Sequence, residues 1–151
     1  MPHKAALAIV WAVLTVALAA PARADDPPLT LELTFSQRAL QELAGLSEMV
    51  TVSAFYFGEP APGATIEPDE DGLIFLGLEE HVIWPVPQRL RLGANLAAMP
   101  HAQVVAPQVN VNIYSARFGA EDNLLDCGLI DGPVQDFAGR PQTIGCKLIG
   151  E

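Results

Sequence analysis

The clearest pattern in the chain is an alternation of apolar and polar positions over 29–35. Leu29, Leu31, Leu33 and Phe35 share one face and Thr30, Glu32 and Thr34 the other, the period of a half-buried strand. Ser36 follows where a helix N-cap belongs, since its hydroxyl can accept a bond from a backbone N–H in the first turn. Residues 37–44 read as two helical turns with Ala39, Leu40, Leu43 and Ala44 on one side, and Gly45 is expected to end them in the left-handed conformation. A second strand is predicted over 49–57, rich in β-branched and aromatic residues, and then a loop over 58–72 carrying Pro60, Pro62 and Pro68. Residues 73–78 and 81–84 read as two short strands on either side of Glu79 and Glu80, stopped by Pro85 and Pro87. Residues 88–92 alternate again, and 95–99 suit one helical turn before Pro100. The strongest strand is 107–116, where Val109, Val111, Ile113 and Ser115 alternate with Asn110, Asn112 and Tyr114. An irregular stretch over 117–141 and a last strand over 143–149 complete the pattern.

About seven short strands, one or two short helical inserts and no strand–helix–strand repeat predict an all-β fold. The expectation is a small antiparallel β-sandwich, immunoglobulin- or transthyretin-like in general architecture. It would occupy 25–151 as a single domain, because residues 1–24 have a different character. A short basic start with Lys4 precedes an apolar run over 5–20, followed by Pro21-Ala22-Arg23-Ala24. That is the layout of a secretory signal peptide with an A-x-A cleavage site. The run is shorter than the roughly 20 residues a spanning helix needs, so cleavage is expected rather than stable membrane insertion. The expected location is the periplasm or the secreted fraction of a bacterium.

Cleavage after Ala24 removes Lys4 and Arg23 and leaves six cations against eighteen carboxylates, a charge of −12. Such a surface repels phosphate backbones, which excludes nucleic acid as a partner class. It suits basic partners, cations or simple solubility. The two cysteines, Cys127 and Cys146, fall in the exported part, so a structural disulfide is expected.

Candidate chemistry is sparse. The acidic loop 67–72 places Glu67, Asp69 and Asp71 at alternate positions before Gly72, as calcium loops present their carboxylates. The match to an EF-hand fails at its twelfth position, which is Leu78 where a glutamate is needed. Met49, His81, Met99 and His101 are soft donors of the kind copper takes, but only Met99 and His101 are close in sequence. Glu121, Asp122, Asp126, Asp131 and Asp136 cluster around Cys127 without the aromatic platforms of a glycoside hydrolase. No histidine is tied by a motif to a serine. Asn110, Asn112 and Tyr114, with Arg117 beyond, form a polar stripe on one face of the best strand. Asparagine is depleted in strands, so two at alternate positions mark a candidate binding face for a sugar or a peptide. The sequence therefore points to an exported, non-enzymatic binding or accessory protein whose partner is an envelope protein or a small ligand and which needs no cofactor. The alternative is a calcium-binding envelope protein using the acidic loop.

Overall fold

The computed structural model describes residues 29–151. The expected signal peptide, 1–24, and the acidic lead 25–28 lie outside the described residues.

The alternation over 29–35 does form a strand, β1 (Leu29–Phe35), with Leu29, Leu31 and Leu33 fully buried. Helix α1 (Gln37–Gly45) follows, capped by Ser36, whose Oγ accepts the Ala39 N–H at 3.0 Å. The helix ends differently from expectation. Gly45 is its last helical residue, and the left-handed position falls to Ser47 at φ 53°. The strands that follow are β2 (Val50–Gly58), β3 (Ile74–Ile83), β4 (Gln88–Leu92) and β5 (Gln108–Ser115), with two short 3₁₀ turns, Leu96–Ala98 and His101–Gln103, between the last two.

Two further expectations need correction. Glu79 and Glu80 do not divide β3, because Glu79 turns inward onto partners described below while Glu80 faces out. The stretch 117–141 is not irregular throughout. It holds β6 (Leu125–Cys127), β7 (Ile130–Pro133) and a single helical turn, α2 (Val134–Phe137). These pieces are too short to show periodicity. Strand β8 (Gln142–Leu148) closes the fold.

The eight strands make two four-stranded sheets, in the orders β4-β1-β8-β6 and β3-β2-β5-β7. The result is sandwich-like, with one departure from an all-antiparallel arrangement. β1 and β8 pair in parallel, Leu33 opposite Ile144, because the whole fold intervenes between them and brings β8 back in the direction of β1. Between the sheets lies one core. Leu31 and Leu33 of β1, Val52 and Tyr56 of β2, Val109 and Val111 of β5 and Ile144 of β8 all belong to it. Cys127 and Cys146 form the expected disulfide as directly opposed residues of β6 and β8, with Cα atoms 4.1 Å apart. Beside it, Asp126 lies opposite Lys147 at 3.6 Å, and Glu32 pairs with Arg89 across β1 and β4.

The turn after α1 is held from within. Glu48 is only 1% exposed. Its Oε1 accepts the N–H groups of Met49 and Phe118, both at 3.0 Å, and its Oε2 those of Gly119 at 2.7 Å and Ala120 at 3.0 Å. Burial alone would raise the carboxyl's pKa, but the four backbone donors outweigh it and hold Glu48 below its ordinary value. The carboxylate thereby anchors the 118–120 segment across a sequence gap of about seventy residues to the end of α1.

Candidate functional site

The parity of β2 decides what the second sheet shows to solvent. Val50, Val52, Ala54 and Tyr56 face the core, so Ser53, Phe55 and Phe57 point outward. Register then assembles a face. Phe55 lies opposite Leu78 of β3 and Asn110 of β5, and Phe57 lies opposite Phe75, beside a β-bulge that shifts the β2–β3 register after Tyr56. The Phe55 ring centroid is 5.7 Å from that of Phe57 and 4.9 Å from that of Phe75. Phe55 is 42% exposed, Phe75 52% and Leu78 51%, so the three rings and Leu78 form a contiguous apolar surface in water, with Val82, 50% exposed, beyond Glu80 on the same face.

The predicted polar stripe borders it. Asn110, Asn112 and Tyr114 all face outward from β5, alternating with buried Val109, Val111 and Ile113. Asn110 Nδ2 donates to Asp131 Oδ1 of β7 at 3.2 Å. The Tyr114 hydroxyl reaches over Thr51 of β2 and donates to Glu80 Oε1 of β3 at 3.3 Å. Partial burial, and then the Glu80 charge, push the Tyr114 pKa up. Arg117 sits past the end of β5 in the left-handed region at φ 63°. Asn112 is exposed beside Ser53. The structure thus gathers Asn110, Asn112 and Tyr114 on one face, with Arg117 at its end. By sequence, Phe55, Phe57 and Phe75 fall in strands without an assigned face. The alternation Thr51-Val52-Ser53-Ala54-Phe55-Tyr56-Phe57, with Thr51 and Ser53 in phase with the two phenylalanines, was the signal available.

The inner side of β3 is built to hold that strand in place. Glu79, 9% exposed, accepts the Gly93 N–H at 2.7 Å and the Tyr56 hydroxyl at 3.3 Å through Oε2, while Oε1 lies 2.8 Å from His81 Nε2. Burial, reinforced by the Glu79 charge, drives the Tyr56 hydroxyl pKa far above its ordinary value. Met99 closes over Gly77, where an added Cβ would come within 2.8 Å of the Met99 methyl. The segment after β4 therefore seals the core side of β3 and leaves its outer face exposed.

The other candidates are placed as follows. Glu67, Asp69 and Asp71 lie on the exposed connection between β2 and β3. There Asp69 Oδ1 accepts the N–H groups of Asp71 at 3.0 Å and Leu73 at 2.9 Å, closing a turn. Among the described residues, no group of three or more His, Cys, Asp or Glu side chains is placed to hold a metal ion. His81 is engaged with Glu79, and His101 Nδ1 lies 3.0 Å from the Met99 carbonyl. A groove of about 410 Å³ runs between α1 and the β3–β4 turn, lined by Leu40, Leu43, Trp84 and Val86. Its one carboxylate, Glu48, is spent on the backbone donors described above. No helix among the described residues is long and apolar enough to cross a membrane.

No protein-family model, curated protein or solved structure matches this chain. Its function is therefore read from its own geometry.

Proposed function

We propose that this chain is an exported, non-enzymatic binding or accessory module, immunoglobulin- or transthyretin-like in architecture, that engages its ligand on the outer face of the β3-β2-β5-β7 sheet. One observation carries the reading: three phenylalanines, Phe55 packed against both Phe57 and Phe75, exposed to solvent, continuous with Leu78 and bordered by an asparagine–tyrosine stripe. Contiguous exposed apolar area is unfavourable in water, and on soluble domains it marks interaction sites. Aromatic groups bring large contact area at small conformational cost. Export to the periplasm or beyond is supported by the leader-like composition of 1–24 and by a disulfide of the kind oxidising compartments retain.

The test is an NMR titration of isotope-labelled protein with panels of peptides, oligosaccharides and lipid vesicles. The expected result is a ligand that shifts the amides around Phe55, Phe75 and Asn112 and is lost in the double variant Phe55→Ser/Phe75→Ser. A ligand that binds this variant as well as the wild type, or that maps to the α1 groove, overturns the assignment. Export is tested by the mass of the product secreted from a bacterial host, which should begin at Asp25.

A further inference from the structure

We infer that β3 is an open docking edge for an extended basic segment of a partner protein, which joins the sheet as a fifth strand with its cationic side chains on Glu80 and its apolar ones on Phe75, Leu78 and Val82. The inference rests on the outer sheet face being the binding face and names what occupies it.

Unpaired sheet edges template association, and folded proteins blunt them with short strands, lysines or prolines. Three of the four edges here follow that rule. β4 has five residues and carries Arg89 and Arg91, β6 has three, and β7 has four and ends in Pro133. β3 is different. It has ten residues, Ile74 to Ile83, with no lysine, arginine or proline; its bulge lies near Leu76 and its inward charge is Glu79, so that 78–83 remains a regularly paired stretch with an open outer edge. Its neighbour in the sheet is β2 alone, and among the described residues no backbone hydrogen bond joins 75–83 to any other segment. Its backbone is nonetheless held in strand geometry from behind by Glu79 and Met99. A pre-ordered edge of this length gives an incoming strand main-chain hydrogen bonds, and the side chains at alternate positions select which strand is accepted.

Charge chooses among the occupants. The charged residue that β3 shows to solvent is Glu80, and the domain is strongly acidic. A second copy is disfavoured. An antiparallel β3–β3 pair that set Leu78 against the other copy's Val82 would oppose Glu80 to Glu80, and like charges directly opposite are destabilising. A sugar finds few unspent groups, since the Asn110 amide is bonded to Asp131 and the Tyr114 hydroxyl to Glu80. A strand with a lysine or arginine facing Glu80 and apolar residues two positions to either side, on the same face, suits both that carboxylate and the flanking Leu78 and Val82.

The experiment uses fluorescein-labelled peptides as long as β3 with a central Val-Thr-Lys-Thr-Val pattern, which sets the lysine and both valines on one face. One control replaces lysine by glutamate, and two more carry N-methyl groups on the amides of one edge or the other. Binding is followed by fluorescence anisotropy and mapped by NMR on the full disulfide-bonded domain. The lysine peptide is expected to bind at least about tenfold more tightly than the glutamate peptide, as like-charge juxtaposition costs several kcal/mol. Glu80→Lys should reverse that preference. Methylation of one edge should abolish binding and methylation of the other should not. Because blocking the peptide's amides leaves the protein unaltered, this arm is independent of any variant's folding. Absence of binding at millimolar lysine peptide, equal binding of both methylated forms, or shifts at β4, β6 or β7 in place of β3 overturns strand addition. If the lysine peptide fails but an oligosaccharide binds and is lost in Phe55→Ser/Phe75→Ser, strand addition falls and the face assignment stands. If no ligand is sensitive to that double variant, both fall.

Discussion

Replacing Glu48 by glutamine removes one charge and one acceptor from a site with no slack. The wild-type carboxylate serves two backbone donors with each oxygen: Met49 and Phe118 with one, Gly119 and Ala120 with the other. A glutamine keeps one of those oxygens and turns an N–H₂ group toward the other two amides. Two part-buried donors then face a donor, and the cost of each falls below the roughly 1–3 kcal/mol of a fully buried unsatisfied group because water can reach this segment. With some relaxation of the 118–120 segment, Glu48→Gln is expected to lower stability by about 1–3 kcal/mol, a sizeable share of the ~5–15 kcal/mol typical of a domain. Urea unfolding followed by far-ultraviolet circular dichroism at neutral pH measures this directly. The acid limb provides a second signature. Glu48 is held below its ordinary value of 4.5, so its contribution is fully present above that pH and is lost as pH falls through the depressed value. The gap between wild type and Glu48→Gln should therefore narrow in acid. A loss under about 0.5 kcal/mol at neutral pH, the scatter of ordinary surface substitutions, would refute the reasoning and mean that water serves those amides equally well.

Three further outcomes are expected. Gly119→Ala would place a Cβ 2.2 Å from the Leu46 carbonyl oxygen, and the forced shift of backbone should cost about 1–3 kcal/mol; a thermal melt superimposable on wild type would contradict it. Cys127→Ala/Cys146→Ala opens a loop of sequence separation 19 and should lower the unfolding free energy by about 3 kcal/mol, matching the effect of reductant on the wild type; a reductant-insensitive urea midpoint would count against it. Tyr56→Phe takes one donor from Glu79 but leaves Gly93 and His81 in place, so about 1 kcal/mol is expected in the same urea assay; a loss above 3 kcal/mol would show that the hydroxyl does more than cap the carboxylate.

Much of the fold was legible because several segments obey a single period. The alternation in β5 matched burial throughout and that in β1 up to Leu33, with Phe35 only half-buried at the strand's end, and the Ser36 cap was readable from one hydroxyl before an apolar repeat. What escaped the sequence depends on partners far along the chain. Nothing local marks Glu48 as buried, since its donors lie some seventy residues away. Glu79 reads as a strand breaker until Gly93 and Tyr56 arrive to satisfy it. β6 and β7 are held in place by β8 and β5, and the first also by the disulfide, with little propensity of their own. The polar half of the candidate face was legible from its asparagines, which are unusual in a strand. The aromatic half was not, because hydrophobicity alone does not say which side of a sheet a side chain takes.

The parallel pairing of β1 with β8 has a consequence for the order in which the domain assembles. These two strands form the centre of their sheet, yet their contacts span about 110 residues, as between Thr34 and Ile144. The other sheet draws all its strands from 50–133. Closing long loops costs entropy that non-local contacts return only afterwards, so such pairings form late. The sheet bearing the aromatic face can therefore assemble while the first strand still lacks its central neighbour. Pulse-labelled hydrogen exchange during refolding should protect β2 and β5 before β1. Until β8 docks, one edge of β1 presents unpaired backbone groups, a template on which another chain could pair.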